Sequence, residues 1–184
     1  MDFLLQFDGN ILLWIQEYLR SDLWTWFWIN ITKLGNSGFI WLATAILMLF
    51  FKKTRNVGIV SLCSIALCFL ITNVGLKNIV ARPRPYTQIA ELMILTHPES
   101  SFSFPSGHTA NSFAVALIYF RMLPKKYGIT AVVLATLIGL SRLYIGVHYP
   151  TDVIGGLFVA LFTSSVVYFI YQRIMSNNTI LKSH

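Results

Sequence analysis

Along the chain, apolar residues gather into long runs separated by short polar clusters. Five runs come near or slightly below the ~20 residues that a helix needs to cross a bilayer. They lie at roughly 36–51, 57–80, 106–123, 127–147 and 150–172. The first is the shortest and is closed by Lys52, Lys53 and Arg55, while Pro124, Lys125 and Lys126 separate the third from the fourth. Residues 2–34 follow another pattern. Leu4, Phe7, Ile11, Ile15 and Tyr18 recur at helical spacing, and Asp8, Gln16, Glu17 and Arg20 interrupt them. That spacing predicts an amphipathic helix lying in the membrane interface rather than a span. Trp24, Trp26 and Trp28, beside Asp22 and Lys33, read as interfacial aromatic anchors. A short sixth crossing over 22–34 stays open. The expected fold is all-α: a multi-pass transmembrane helical bundle of five to six spans with an N-terminal interfacial amphipathic helix. It divides into residues 1–34 and a transmembrane domain over 35–184.

Composition agrees with a bilayer. Hydrophobic residues make up 55% of the 184 and charged ones 11%, more apolar surface than a soluble domain of this size can hide. The net charge of +7 comes without an aromatic-basic stripe or a nucleic-acid motif, which excludes a nucleic-acid partner. Cys63 and Cys68 lie five apart within one apolar run, pointing in different directions on a helix, and are expected to be two small buried hydrophobes rather than a disulfide. The first residues carry Asp2 and Asp8 where a signal peptide would be basic, so none is expected.

Charge also orients the spans. The connections 52–56 and 124–126 and the C-terminal tail share one side and hold Lys52, Lys53, Arg55, Arg121, Lys125, Lys126, Arg173 and Lys182 without an acidic residue. The positive-inside bias puts that side, and the C-terminus, in the cytoplasm of a plasma-membrane protein. Residues 81–105, 148–149 and the start of the third span then face outward.

Three polar clusters meet at that outer level. "KNIVARPRPY" ends the second span with Lys77, Arg82 and Arg84; Ser106, Gly107 and His108 open the third; "SRLYIGVHYPTD" carries Ser141, Arg142, His148 and Asp152 from the fourth into the fifth. Ionisable residues at span ends are functional candidates by default. Arginine forks match phosphate oxygens and lysine adds a point charge. The free N–H groups of a helix start at Ser106 attract anions, and Gly107 lets a ligand approach the backbone. Pro150 suits a first helical position, placing His148 just before the fifth span and Asp152 in its first turn. That carboxylate can orient one imidazole nitrogen and leave the other to attack, with His108 from another helix as proton donor. A metal site fits poorly, because of the seven acidic residues only Asp152 belongs to the cluster; Glu91 and Glu99 lie in the 86–104 loop without ligand-like spacing. No metal or other cofactor is expected.

These residues closely resemble the type 2 phosphatidic acid phosphatase superfamily, whose signature has three parts. K-x6-R-P is matched by Lys77, Arg84 and Pro85; P-S-G-H by Pro105, Ser106, Gly107 and His108; S-R-x5-H-x3-D by Ser141, Arg142, His148 and Asp152. The resemblance covers about 35–172. It implies a metal-independent membrane phosphatase in which His148 forms a phosphohistidine, Asp152 orients it and His108 is the general acid, then the activator of water. By the same resemblance Lys77, Arg84, Ser106, Gly107 and Arg142 hold the phosphate. Because Arg82-Pro83 and Arg84-Pro85 repeat, Arg82 stays open as a sharer or holder of the clamp role. The expected partners are the bilayer and a lipid phosphate, with undecaprenyl pyrophosphate favoured over phosphatidylglycerol phosphate and phosphatidic acid. A non-catalytic lipid-binding protein and a vanadate-dependent haloperoxidase are the other readings, and oligomeric state is not legible.

Overall fold

Two helices precede the first expected span: α1 (Asp2–Tyr18) and α2 (Asp22–Leu34). The computed structural model describes residues 2–181, with side chains over 4–177, so Lys182 and His184 lie outside the described residues. One edge of α1 is buried, and it takes Ile11 and Ile15 but not the rest of the stripe singled out by apolar spacing. Leu12 and Ile15 turn inward together with Asp8, whereas Leu4, Phe7 and Tyr18 point outward. A buried carboxylate on this helix needs partners, and the site supplies them. Trp24 and Trp26 also face outward, while Trp28 stacks on Tyr144 with ring centroids 5.7 Å apart.

α3 (Phe39–Leu49) follows α2 through Gly35 and a 3-10 turn, Asn36–Gly38, and the pair bends by 44°. Gly38 has φ +67°, a left-handed angle that glycine adopts without a Cβ penalty and that ends the helical run. After α4 (Arg55–Phe69) the chain widens into a π-helical turn, Leu70–Leu76, and closes again as α5 (Lys77–Val80). Pro83 and Pro85 then break the helix, with Pro85 opening the short α6 (Pro85–Gln88). Three longer helices complete the chain: α7 (Gly107–Met122), α8 (Lys125–Tyr144) and α9 (Pro150–Leu181).

α7 is central, packed against α4, α8 and α9. Small residues make that position possible, since Ala110, Ala114 and Ala116 are fully buried and let neighbouring backbones approach. Ser112 and Tyr119 satisfy polar groups there, accepting from Trp41 Nε1 at 2.9 Å and pairing with Thr44 Oγ1 at 2.9 Å. The backbones of α7 and α9 also cross closely. A Cβ at Gly156 would lie 2.7 Å from the Ser106 carbonyl oxygen, so only glycine fits.

Three stretches are long and apolar enough to cross a membrane, Arg55–Gln88, Lys125–Tyr144 and Pro150–Asn177, and the bent α2–α3 pair makes a fourth if it counts as one span. By length and composition alone, three to four of the five to six spans expected from the sequence are marked. The apolar run 36–51 folds as an 11-residue helix bent against α2, and the run 106–123 folds as a 16-residue helix. At 1.5 Å per residue the latter rises about 24 Å, short of a ~30 Å hydrocarbon core. Outward faces are strongly apolar, with Phe50, Phe69, Ile79 and Phe158 all well exposed. Cys63 joins that outward face and only Cys68 is buried, so the expectation of two buried thiols holds for one of them. Both are free.

Candidate active site

The structure brings the three sequence clusters together where α5, α7 and α9 begin or end. Ser106 caps α7 from an extended backbone, its Oγ accepting from Thr109 N at 3.4 Å and Thr109 Oγ1 at 3.0 Å. Its own N–H donates to the Asp152 carbonyl at 3.0 Å, which locks the start of α7 to the first turn of α9. Gly107 faces the lysine: a Cβ there would stand 3.9 Å from Lys77 Nζ. His108 Nε2 meets Asn36 Oδ1 at 3.0 Å, so the turn between α2 and α3 orients this imidazole.

His148 is 1% exposed and sits between two arginine-braced neighbours. Its Nδ1 is 3.4 Å from Asp152 Oδ2, too long for a hydrogen bond, because Oδ2 is already taken by Ser103 Oγ at 2.5 Å and Tyr149 N at 2.8 Å. On the other side Nε2 lies 3.2 Å from Arg84 Nη1. Arginine only donates, so this contact places the lone pair on Nε2 and the proton on Nδ1, facing Asp152. Burial, with the Arg84 and Arg142 guanidiniums nearby, pushes the His148 imidazolium down to about 4 against the pull of Asp152. At neutral pH the ring is therefore an uncharged base whose Nε2 lone pair lies among cations.

Those cations are Arg84, Arg142 and Lys77. Arg84 Nη1 donates to the Val147 carbonyl at 3.0 Å and Nε to the Ser101 carbonyl at 2.9 Å. Arg142 Nη1 donates to Thr32 Oγ1 at 2.7 Å, and its Nε is a buried donor with no hydrogen-bond partner. Lys77 Nζ donates to Ser101 Oγ at 3.0 Å. Between the two arginines stands a carboxylate that sequence reasoning placed outside the site. Glu99 Oε2 accepts from Arg84 Nη2 at 2.6 Å and Oε1 accepts from Arg142 Nη2. Tyr86 pins the residue, its hydroxyl meeting the Glu99 N–H and carbonyl, each at 3.1 Å. Burial raises the Glu99 carboxyl, but Arg142 and Arg84 outweigh it and hold it at about 2. A cavity of about 180 Å³ opens beside this group, with Lys77, Glu99, Gly107, His108 and His148 among its walls.

Corrections follow from this geometry. Asp152 is not the one acidic residue of the cluster, since Glu99 and Asp8 both reach it; no carboxylate spacing announces either. Arg82 lies apart from the cations around Glu99, its Nη1 donating to Asp152 Oδ1 at 2.6 Å and its Nη2 to Asp8 Oδ2 at 2.8 Å. Each arginine precedes a proline and is thereby biased to extended backbone, which sends the pair along one line at ~3.3 Å per residue. Arg84 thus stands at the imidazole end of the His148–Asp152 pair and Arg82 at the carboxylate end. Ser141 Oγ turns back to the Ile138 carbonyl at 2.6 Å, and His97 is an exposed loop residue. Among the described residues, no three His, Cys, Asp or Glu side chains are grouped to hold a metal ion.

The sequence model of the PAP2 superfamily matches residues 57–176. Phosphatidylglycerophosphatase B of Bacillus subtilis is 39% identical over 152 residues, a match covering 73% of this chain and 71% of that protein. Undecaprenyl-diphosphatase of Sulfolobus acidocaldarius is 31% identical over 128 residues, covering 70% of this chain but 61% of that enzyme's length. Among solved structures, a transmembrane PAP2 type phosphatidylglycerolphosphate phosphatase from Bacillus subtilis aligns with a TM-score of 0.76 at 33% identity, over 92% of this chain and 86% of that one.

Proposed function

The chain belongs to the PAP2 superfamily, and from that premise we propose that it is an integral membrane lipid phosphatase working through a phosphohistidine on His148. One observation carries the reading: a neutral, buried imidazole whose Nε2 lone pair faces Arg84, with the Asp152 carboxylate behind Nδ1. In the first step Nε2 attacks the terminal phosphorus, a P–N bond forms and the bond from that phosphorus to the leaving oxygen breaks, the bridging oxygen in a pyrophosphate and the lipid's own oxygen in a monophosphate. His108 gives its proton to that leaving oxygen, while Asp152 stabilises the imidazolium. In the second step His108 takes a proton from water, the resulting hydroxide displaces the histidine, and orthophosphate leaves. Lys77, Arg84, Arg142, the Ser106 hydroxyl and the backbone N–H of Gly107 hold and neutralise the phosphoryl oxygens throughout.

Within lipid phosphates we favour undecaprenyl pyrophosphate, cleaved to undecaprenyl phosphate. The cluster of three cations suits a diphosphate, and a relative named undecaprenyl-diphosphatase supports the choice. Phosphatidylglycerol phosphate is the competing substrate, supported by the relative named phosphatidylglycerophosphatase B. The absence of acidic residues from the 52–56 and 124–126 connections supports a site on the outer face of the plasma membrane with a cytoplasmic C-terminus.

The test is orthophosphate release by the purified protein in detergent with EDTA, on undecaprenyl pyrophosphate, phosphatidylglycerol phosphate and phosphatidic acid at matched surface concentration. A strong preference for the pyrophosphate is expected, and comparable glycerolipid rates would make this a broad lipid phosphatase. His148→Ala should reduce turnover by roughly a thousandfold or more, as loss of a nucleophile does, at an unchanged thermal midpoint. A variant keeping most of its rate would remove histidine nucleophilicity, and a loss of wild-type rate with EDTA would reveal a metal.

A further inference from the structure

The carboxylate end of the His148–Asp152 pair is held from outside the signature. Arg82 bridges Asp152 Oδ1 and Asp8 Oδ2, and both carboxylates are fully buried while the arginine side chain is 15% exposed. Asp8 also accepts from Thr151 N at 3.3 Å and from Thr151 Oγ1, so a side chain of α1 caps the first turn of α9. Arg82 Nη1 reaches the same Thr151 hydroxyl at 2.7 Å, and the guanidinium lies 3.9 Å from the Tyr149 ring centroid. A guanidinium fixed at both hands and over one face has no freedom to turn toward the phosphate cradle.

We propose that Asp8 and Arg82 are positioning residues: the N-terminal helix holds Arg82, and Arg82 holds the plane of the Asp152 carboxylate against His148. The need for such a brace is visible at Oδ2. That oxygen already accepts from Ser103 Oγ and Tyr149 N, yet it must take a third donor, His148 Nδ1–H, as positive charge develops on the imidazole. Closing the 3.4 Å gap requires that the carboxylate not rotate away, and the 2.6 Å contact from Arg82 to Oδ1 opposes rotation. Asp8 in turn balances the guanidinium, so that Arg82 is a fixed hydrogen-bond donor between two anions rather than a mobile cation. Residues 2–18 thereby belong to the catalytic apparatus although they carry none of the family's motifs. The inference rests on His148 being the nucleophile.

Kinetics of Asp8→Asn, Arg82→Lys, Arg82→Gln and the Asp8→Asn/Arg82→Gln double variant test it, in detergent, with a short-chain phosphatidic acid as substrate and orthophosphate as competitive inhibitor. Asp8→Asn and Arg82→Gln should each lower kcat about 10- to 100-fold, the scale of a misplaced reacting group. KM and the orthophosphate inhibition constant should stay within about twofold, because Lys77, Arg84 and Arg142 are untouched. Arg82→Lys should recover part of the rate, since an ammonium reaches one of the two carboxylates. The double variant should be no slower than Arg82→Gln alone, the mark of residues acting in series. A weakened orthophosphate constant in Arg82→Gln would make Arg82 a phosphate ligand and overturn the proposal, as would an unchanged kcat in Asp8→Asn. If Arg82→Gln does not fold, the isosteric Asp8→Asn decides alone. His148→Ala runs beside them: an active His148→Ala sinks the nucleophile reading, whereas an inactive one with a fully active Asp8→Asn sinks only the brace.

Discussion

Replacing Glu99 with glutamine should tighten the grip of the site on phosphate. The Glu99 carboxylate spans Arg84 and Arg142, the two cations whose forks suit a phosphoryl group, and a phosphate that binds there must take over those donors. A hydrogen bond to a charged partner contributes roughly 1.5–3 kcal/mol, and the 31% exposure of the Glu99 side chain weakens both of its contacts by solvent screening. Glutamine keeps the shape and one acceptor oxygen but loses the charge, so about half of that competition disappears, on the order of 1–2 kcal/mol. By the tenfold-per-1.4 kcal/mol relation, that is an affinity gain of about 5- to 30-fold. Orthophosphate and vanadate, measured as competitive inhibitors of lipid phosphate hydrolysis in detergent, read the gain directly. Both inhibition constants should fall together in Glu99→Gln. Constants that stay the same or rise would mean that Glu99 arranges the arginines for phosphate instead of competing with it.

Three further outcomes follow from the site and its packing. His148 is held at about 4, so its ring is neutral at every pH above that and takes its proton only as pH falls through about 4; histidine-labelled protein observed by NMR, assigned with His148→Ala, should show that midpoint, and one near 6.5 would contradict a desolvated nucleophile. The same depression means that between about 6.5 and 4 the unfolded chain binds a proton the folded one refuses, so this group lowers stability as pH falls through that window, a slope His148→Ala should remove. Gly156→Ala would press a methyl to 2.7 Å from the Ser106 carbonyl and 3.1 Å from Thr109 Cβ. Overpacking of that kind costs about 1–3 kcal/mol, so a thermal-shift assay should show a lower midpoint, and an unchanged one would mean that α7 and α9 separate freely.

The residues legible in the sequence share a physical peculiarity. Lys77, Arg84, His108, Arg142, His148 and Asp152 are ionisable groups at the ends of apolar runs, where a charge is conspicuous because its surroundings are not polar. Glu99 is hidden because it lies in a loop already rich in polar residues, and nothing local marks it as the partner of arginines 15 and 43 positions away. Asp8 looks in the sequence like an interruption of an amphipathic stripe, since its burial depends on a cation 74 positions later. Asn36 carried a weak signal, a polar residue in the glycine-bounded turn between two apolar runs, but its contact with His108 exists only once α2 and α3 bend. Helix length is hidden by the same limit. Hydropathy gives the length of an apolar run, not the turn at Asn36–Gly38 that shortens one or the 16-residue helix that another becomes.

The π-helical turn at Leu70–Leu76 has a meaning for how this chain can change. Such a turn behaves as one residue inserted into an α-helix without a break in its backbone ladder. Each α-helical residue advances the chain by about 100° around the axis, so everything beyond the turn is rotated relative to what α4 alone would dictate. Lys77 is buried toward Gly107 because of that phase, with Arg84 carried along behind the prolines. A one-residue deletion between 70 and 76 would restore regular α geometry and leave Lys77 in place, whereas forcing all seven residues into regular α geometry would not. In that second case the lysine would be dialled about a quarter turn toward lipid, leaving a membrane helix sound in every respect except its timing.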